Sequence, residues 1–285
     1  MFTKFQKSFQ TGIVTSSYPH KKETPPERFR GRIEIDNEKC KQCNACVEIC
    51  PTSAYTWIPL VPKLQLGNEK RYLQLSHARC IFCGLCEEVC PYKAITITND
   101  FELATTKKEG LLLKLVPYND TGAGFSPKEP VETLGKNLKK KILSIFKRSL
   151  HVREVDAGSC NGCEWEAVAL LNPVHDLQRF GIDFVASPRH ADCLLVTGPL
   201  TRNLEIALKK TYHATPEPRM VIALGACACS GGIFSNCYAT KNGIDNLVPY
   251  NDTGTVPVDV YIPGCPPRPQ AIIYGLLLAL DRIRV

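Results

Sequence analysis

Long apolar runs are missing from this sequence. No stretch approaches the roughly 18 consecutive apolar residues that would indicate a membrane-spanning helix, and the first 30 residues are polar and basic, without the apolar core of an export signal. We therefore expect a soluble or peripheral protein that stays inside the cell. The composition is otherwise that of a globular protein, with 44% hydrophobic and 22% charged residues, and a length of 285 residues suggests two domains.

Motifs for organic cofactors are also absent. No Gly-x-Gly-x-x-Gly follows a predicted strand, so we predict no nicotinamide or flavin site. The six histidines show no metal-binding spacing, and none lies in a cysteine run. We predict no catalytic side chain in this chain.

Positive charge is unevenly distributed. The net charge of +7 comes from residues 1–30 (+4) and 106–150 (+6), whereas residues 31–105 and 151–285 carry −1 and −2. A nucleic-acid-binding domain would carry its basic face on the folded body, so we predict no nucleic-acid partner. The basic segments instead favour contact with an acidic partner or an anionic membrane surface.

Cysteine, in contrast, is abundant, with 15 residues in clusters. Thiols inside a cell stay reduced, so clustered cysteines indicate metal ligands rather than disulfides. Residues 40–51 and 80–91 each follow the pattern Cys-x2-Cys-x2-Cys-x3-Cys-Pro. Three closely spaced thiolates can face one [4Fe–4S] cluster, while the fourth, before proline, binds the other cluster. We predict one cluster on Cys40, Cys43, Cys46 and Cys90, and a second on Cys80, Cys83, Cys86 and Cys50.

Zinc is the alternative for this region. Zinc sites use Cys-x2-Cys pairs and four ligands per ion, which leaves a third cysteine and a Cys-Pro unexplained in both runs. Residues 35–100 resemble bacterial-type 2[4Fe–4S] ferredoxins, and most closely the ferredoxin-like subunit of respiratory complex I and related hydrogenases. They depart from a minimal ferredoxin at residues 56–75, where we predict an inserted hairpin.

The sequence pattern changes after residue 150. Short apolar strands at 152–156, 193–198, 220–225 and 258–263 alternate with helical stretches near 163–171, 201–213 and 267–283. This alternation predicts a parallel α/β sheet. Cysteines follow three of these strands, and such loops meet at the carboxyl edge of a parallel sheet, where these folds bind ligands. The cysteines concerned are Cys160, Cys163, Cys227, Cys229 and Cys265.

Residues 150–285 resemble the small electron-transfer subunit shared by complex I and [NiFe] hydrogenases, most specifically over 257–280. The resemblance implies a third [4Fe–4S] cluster on Cys160, Cys163, Cys227 and Cys265, with Cys227 rather than Cys229 as the third ligand. Complex I subunits have adjacent cysteines where this chain has Cys160-x2-Cys163, a spacing similar to that of membrane-bound energy-converting hydrogenases. The implied fold is an α+β ferredoxin-like domain followed by an α/β flavodoxin-like parallel-sheet domain.

Four segments follow from these patterns. They are a basic arm (1–30), a 2[4Fe–4S] ferredoxin-like domain (31–105), a basic linker (106–150) with an amphipathic helix over 131–150, and a small-subunit-like [4Fe–4S] domain (151–285). The linker helix is expected to pack on its own protein or to dock on a membrane or a partner subunit.

The resemblance implies an electron-transfer subunit of a membrane-associated [NiFe] hydrogenase-like complex, at the cytoplasmic face. Its partners would be a catalytic large subunit, integral membrane subunits, and a protein or subunit that donates or accepts electrons. No free pair of Cys-x2-Cys groups is left to hold nickel, so a nickel–iron centre would lie in another chain. A complex-I-like quinone or sulfur reductase is the alternative, and a zinc-dependent scaffold is a third hypothesis.

Five further residues stand outside the three ligand sets. Glu164 and Glu166 fit either a proton relay or helix N-terminal acids favoured by the helix dipole. Cys193 is expected to be a buried apolar residue. Cys229 and Cys237 fit a structural role better than a redox-sensitive one.

Overall fold

The structure is a computed structural model that describes residues 6–7, 10–59, 71–115, 148–249 and 255–282. The helix predicted over 131–150 lies outside the described residues except for its last three positions, and so does the tip of the predicted insertion. Within the described part, no helix combines the length and apolar character needed to cross a membrane.

The first domain repeats one small unit. In each half a short helix follows the first cysteines of the run, namely α1 (Ala45–Ile49) and α2 (Leu85–Val89). Strands β1 (Ile33–Ile35) and β4 (Ile95–Ile97) pair antiparallel, with Ile33 opposite Ile97. The pairing joins the start of one half to the end of the other and closes the domain around an apolar centre.

A three-stranded sheet is added to this unit. Strand β2 (Tyr55–Pro59) pairs antiparallel with β3 (Arg71–Ser76), which confirms the predicted hairpin. Strand β5 (Leu112–Leu115) then pairs antiparallel with β3, after a 3₁₀ turn at Lys108–Leu111. Alternate leucines of β5 pack into the apolar core of the ferredoxin domain, so the beginning of the predicted linker forms part of this sheet.

The second domain is built on a five-stranded sheet. All four strand pairs are parallel, and the order is β10-β9-β8-β6-β7. Numbered from the other edge within the domain, this is 2-1-3-4-5, the flavodoxin-like arrangement. The strands are β6 (Leu150–Asp156), β7 (Ile182–Phe184), β8 (Cys193–Thr197), β9 (Met220–Leu224) and β10 (Val260–Ile262).

Helices follow the strands as the sequence pattern predicts, with one addition. The three predicted helices are α3 (Gly162–Ala169), α4 (Glu205–Ala214) and α6 (Pro269–Arg282). The additional helix α5 (Gly225–Ser230) begins directly after β9, where the sequence suggested a loop. Its small residues give no amphipathic period, and burial against the sheet stabilises it instead. Four 3₁₀ turns complete the described part of the domain: Leu177–Phe180, Pro188–His190, Gly232–Phe234 and Ile244–Asn246.

The two domains are in direct contact. Thr105 and Tyr261 form an antiparallel bridge, with N···O distances of 3.0 and 2.8 Å. Lys108 forms an ion pair with Asp245 at 2.6 Å. Phe101 lies in the same apolar core as α6 of the second domain. The bridge, the ion pair and the shared core fix the ferredoxin domain on the sheet domain.

The N-terminal arm packs along this junction. Tyr18 is 1% exposed and its hydroxyl donates to Glu102 at 3.0 Å. The guanidinium of Arg179 donates to the carbonyls of Ser16 and Tyr18 at 2.5 Å each. Lys22 forms an ion pair with Glu102 at 3.1 Å. Part of the arm's positive charge is therefore paired within the protein itself.

Candidate iron–sulfur sites

The first predicted set of thiols surrounds one cavity. The cavity is lined by the four cysteines together with Trp57, Tyr92 and apolar residues. The structure brings together the three cysteines of the first run and the last cysteine of the second run. These are Cys40, Cys43, Cys46 and Cys90.

The second set surrounds a separate cavity. Here the last cysteine of the first run joins three cysteines of the second, so the two runs exchange their fourth thiol. Ile33 and Tyr55 form part of the apolar wall. The four thiols are those of Cys50, Cys80, Cys83 and Cys86.

The backbone around the two cavities is repeated with an offset of 40 residues. Gln42 and Asn44 have φ angles of 54° and 75°, and Phe82 and Gly84 have 55° and 89°. These left-handed conformations curl each run into a tight loop. Positive φ angles are uncommon for residues other than glycine. They occur here because each cysteine run bends tightly around its cavity.

Backbone amides donate to the cysteine sulfurs. Ala54 N lies 3.2 Å from Cys50 Sγ, and Ala94 N lies 3.3 Å from Cys90 Sγ. In the second run Phe82 N also lies 3.3 Å from Cys80 Sγ. Such hydrogen bonds stabilise thiolate ligands and raise the reduction potential of an iron–sulfur cluster.

Burial controls the protonation of these thiols. It raises the pKa of Cys46 and of Cys80 to about 12 each, and neighbouring thiols add to the shift. Both side chains are therefore neutral at pH 7 in the protein alone. Iron binds thiolates, so loading of the sites must release protons.

The third predicted set lies at the carboxyl edge of the sheet. Cys160 follows β6, Cys163 is in the first turn of α3, Cys227 is in α5, and Cys265 follows β10. Burial raises the pKa of Cys163, and Cys227, Cys265 and Cys160 each add to this increase electrostatically. The structure therefore brings together four thiols that are far apart in sequence.

Glycines leave the space that these thiols occupy. A Cβ atom at Gly225, where φ is +88°, would lie 2.5 Å from Cys163 Sγ. A Cβ at Gly232 would lie 3.1 Å from Cys227 Sγ. Ala226 N donates to the Gly264 carbonyl at 2.8 Å and ties the Cys227 helix to the Cys265 loop. The thiols therefore lie in a cradle that side chains at these glycines would fill.

Among the residues that the structure describes, each ferredoxin-type cavity is lined by four thiols and by no His, Asp or Glu side chain. Within the described residues, no three His, Cys, Asp or Glu side chains are close enough to hold one metal ion. A [4Fe–4S] cluster is held by four cysteine thiolates on a bulky inorganic core, so its ligands must stand apart around a cavity. The thiols that line the two ferredoxin-type cavities meet this requirement.

Three cysteines belong to none of the three sets. Cys193 and Cys229 are each 0% exposed, and Cys229 Sγ donates to the Ala223 carbonyl at 3.6 Å within the core. This placement separates Cys229 from Cys227 although both are on α5. Cys237 is exposed.

A carboxylate pair, of which the sequence singles out only Glu164, lies beside the third set. The buried Thr197 hydroxyl donates to Glu164 Oε1 and lies 3.3 Å from Glu154 Oε1. Burial, followed by the charge of Glu164, raises the pKa of Glu154. Thr197 ends an apolar strand and Glu154 lies within another, so neither residue has a recognisable signal in the sequence.

An apolar surface adjoins the same edge. Trp165 is 74% exposed on α3, two residues after Cys163. Exposed apolar side chains continue along α3 and just beyond it, and others follow α5. They include Val168, Leu171, Ile233, Phe234 and Tyr238. Large patches of exposed apolar residues mark interaction surfaces.

Comparisons with known proteins assign both halves of the chain. Residues 160–279 match the family model of the NADH ubiquinone oxidoreductase 20 kDa subunit, and residues 33–97 match the 4Fe-4S dicluster domain. The chain is 46% identical over 151 residues to the probable membrane-bound hydrogenase subunit mbhJ of Pyrococcus furiosus, covering 52% of this chain and 86% of that protein.

Two other relatives are similar over part of their length. Formate hydrogenlyase subunit 7 of Escherichia coli is 47% identical over 144 residues, which cover 50% of this chain and 53% of the relative. An NADH-quinone oxidoreductase subunit of Citrifermentans bemidjiense is 50% identical over 121 residues, which cover 42% of this chain and 66% of the relative. All three are subunits of oxidoreductases, and the dicluster domain carries iron–sulfur clusters. The chain therefore belongs to the family of the complex I 20 kDa subunit and its hydrogenase counterparts, as an electron-transfer subunit with a 4Fe-4S dicluster domain in the same polypeptide.

Proposed function

We propose that this chain is the electron-transfer subunit of a membrane-associated, energy-converting [NiFe] hydrogenase-like complex. It relays single electrons through three [4Fe–4S] clusters between a redox donor and a catalytic large subunit. The observation that carries the proposal is the grouping of twelve thiols into three sets of four, two around cavities and one at a sheet edge.

Each set has a proposed role as ligands. The first cluster takes Cys40, Cys43, Cys46 and Cys90, the second Cys80, Cys83, Cys86 and Cys50, and the third Cys160, Cys163, Cys227 and Cys265. A bound [4Fe–4S] cluster supplies a one-electron redox centre. The protein supplies thiolates, directs amides such as Ala54 N and Ala94 N at their sulfurs, and excludes water with apolar walls.

The order of the sites follows from the domain contact. One cleft is lined by Ile81 and Phe82 from the second cysteine run and by Cys265 from the third set. This shared lining supports an order in which the second site is next to the third and the first site is the outermost. This arrangement supports exchange with the redox donor at the first site, beside Trp57 and Tyr92.

The proposed domain organisation keeps the four segments predicted from the sequence, and contacts in the structure add two details to it. The arm packs at the junction through Tyr18, and β5 extends the ferredoxin sheet. The segment over 131–150 remains a predicted amphipathic helix, which packs on its own protein or docks on a membrane or a partner subunit.

The proposed partners follow from the exposed surfaces and the relatives. The apolar surface beginning at Trp165 suits a catalytic large subunit over the carboxyl edge of the sheet. The relatives include a membrane-bound hydrogenase subunit, which supports integral membrane partners. Our proposal keeps the peripheral position at the cytoplasmic face that the sequence resemblance implies.

A second candidate function has its own support. The 50% identity to an NADH-quinone oxidoreductase subunit favours a complex-I-like reductase of a quinone or sulfur compound. Both functions use the same three clusters, and they differ in the active site of the large subunit. Nickel in the co-purified complex supports the hydrogenase, whereas its absence from an active complex favours the reductase.

Iron and acid-labile sulfide in the anaerobically purified chain test the cluster content. We expect about twelve irons, four for each of three clusters. Cys227→Ala should reduce this number to about eight, whereas Cys229→Ala, the matched control on the same helix, should retain about twelve. A wild-type content near eight, unchanged by Cys227→Ala, would refute the third site.

A further inference from the structure

The cleft between the second and third sites contains a charged residue that contacts both domains. Arg268 lies three residues after Cys265 and lines the same cleft as Phe82. Its guanidinium lies 4.8 Å from the ring centre of Phe101 and 5.4 Å from that of Phe29. Both rings come from the N-terminal part of the chain, so Arg268 links the Cys265 loop to that part.

Polar contacts fix the same guanidinium. Arg268 Nε donates to Gln270 Oε1 at 2.7 Å, and Nη2 lies 3.5 Å from Glu23 Oε2 on the arm. Gln270, 4% exposed, donates in turn to Glu23. Arg268 is therefore held by the arm, by two aromatic rings and by the beginning of α6.

Two carboxylates, those of Glu23 and Glu166, act electrostatically on the Arg268 guanidinium, which is poorly solvated. Its side chain is 19% exposed, against 29% for Glu23, and Nη1 is buried without a hydrogen-bond partner among the described residues. Reduction adds one negative charge to a cluster, and a nearby positive charge in a poorly solvated cleft favours the reduced form. The nearest predicted ligand in sequence is Cys265.

We propose that Arg268 is a positioning residue that holds the Cys265 loop against the ferredoxin domain and raises the reduction potential of the third cluster. The inference rests on the proposed function, because it requires a loaded third site. Glu23 has the opposite electrostatic effect, since it places a negative charge against the same guanidinium.

Redox titration of the anaerobically loaded full chain, followed by electron paramagnetic resonance, tests the proposal. The signal lost in Cys227→Ala identifies the third cluster. At the wild-type midpoint, Arg268→Gln should lower the ratio of reduced to oxidised third cluster roughly three- to tenfold, and Glu23→Gln should raise it. Arg268→Lys, which keeps the charge, should remain close to wild type.

Arg219→Gln is the matched control. Arg219 also stacks on an aromatic ring, 4.0 Å from the centre of Tyr212, and forms an ion pair with Glu217 at 3.1 Å. It lies at the opposite end of the sheet, just before β9, so its removal should leave the potential unchanged.

The two charge-removing variants decide the outcome together. Opposite shifts in Arg268→Gln and Glu23→Gln support the proposal, whereas no shift, or shifts of the same sign, overturns it. If Arg268→Gln fails to retain the third cluster, Glu23→Gln alone decides: a raised potential supports the proposal and an unchanged one overturns it. A wild-type chain without a third cluster would instead refute the proposed function.

Discussion

The two domains assemble their thiol sets differently. In the ferredoxin domain, three thiols of each set come from one short run, such as residues 40–46, and one thiol comes from the other half. In the sheet domain, the four thiols come from three connections spread between residues 160 and 265. The ferredoxin sites therefore depend mainly on local backbone conformation, whereas the third site depends on the completed sheet. The predictions that follow test this difference, beginning with the largest expected effect.

Gly225→Ala should abolish the third site and spare the other two. The new Cβ would lie 2.5 Å from Cys163 Sγ at a φ of +88°, so the helix and the ligand cannot both keep their positions. We expect the iron content to fall from about twelve to about eight.

Gly12→Ala is the control for this change. Gly12 also has a positive φ, +64°, but nothing lies within 4 Å of its ideal Cβ. The prediction would be wrong if both variants retained the same iron content.

Cys50→Ala and Cys90→Ala should damage opposite sites. Cys50 belongs to the first run but lines the second cavity, and Cys90 belongs to the second run but lines the first. We expect Cys50→Ala to remove the signal of the second cluster and Cys90→Ala that of the first, as resolved by electron paramagnetic resonance. If each variant instead damaged the site of its own run, the exchange of the fourth thiol would be disproved.

Acid should destabilise the ferredoxin domain through His77. This ring is 4% exposed and its Nε2 lies 3.2 Å from the Ile33 carbonyl; burial and then Arg32 lower its pKa to about 4. Between pH 6.5 and 4 the unfolded chain binds the extra proton, so the free energy of unfolding falls as the pH falls. From pH 7.5 to 5.5 the contribution is about 1 kcal/mol.

Anaerobic thermal melting of the loaded chain at these two pH values checks the effect. On acidification, the melting temperature of His77→Gln should fall less than that of the wild-type protein. The exposed His20→Gln is the control and should behave as wild type. Equal acid sensitivity in all three proteins would contradict the prediction.

Trp57→Phe should have the smallest effect, confined to the first site. Trp57 Nε1 donates to Asn44 Oδ1 at 2.5 Å, and its ring lies 4.5 Å from the Arg71 guanidinium. Phenylalanine keeps an aromatic ring beside Arg71 but loses the hydrogen bond, which should cost about 0.5–1 kcal/mol of stability and speed the loss of the first cluster in air.

Trp165→Phe provides the matched comparison, since the sequence contains two tryptophans and Trp165 is 74% exposed. Bleaching of the individual cluster signals in air measures the difference. Equal bleaching rates in the two variants would refute a local role for Trp57.

The features that could be predicted best are those with a signal in a short stretch of sequence. The two cysteine runs and the strands that precede Cys160 and Cys265 have clear local signals. In the structure the cysteines of the two runs line two cavities, and Cys160 and Cys265 lie at the carboxyl edge of the sheet. Strand β7, with three residues, and helix α5, built from small residues, have no such signal because packing on the sheet stabilises them.

Long-range contacts could not be predicted from the sequence. The basic composition of the arm suggested an external partner, yet Lys22 pairs with Glu102 and Tyr18 is buried in the second domain's core. The hydrogen bond between Thr197 and Glu164 likewise joins residues from different elements. Such contacts depend on the tertiary fold, which composition and periodicity do not specify.

The bridge between Thr105 and Tyr261 has a consequence for assembly. When two redox modules are separate polypeptides, the fraction that is joined depends on their concentrations and on their dissociation constant. Here a covalent connection sets a high effective concentration of one module for the other, and backbone hydrogen bonds of 3.0 and 2.8 Å fix their orientation. The ferredoxin domain and the sheet domain should therefore stay joined one to one on dilution. The distance between them should be the same in every molecule.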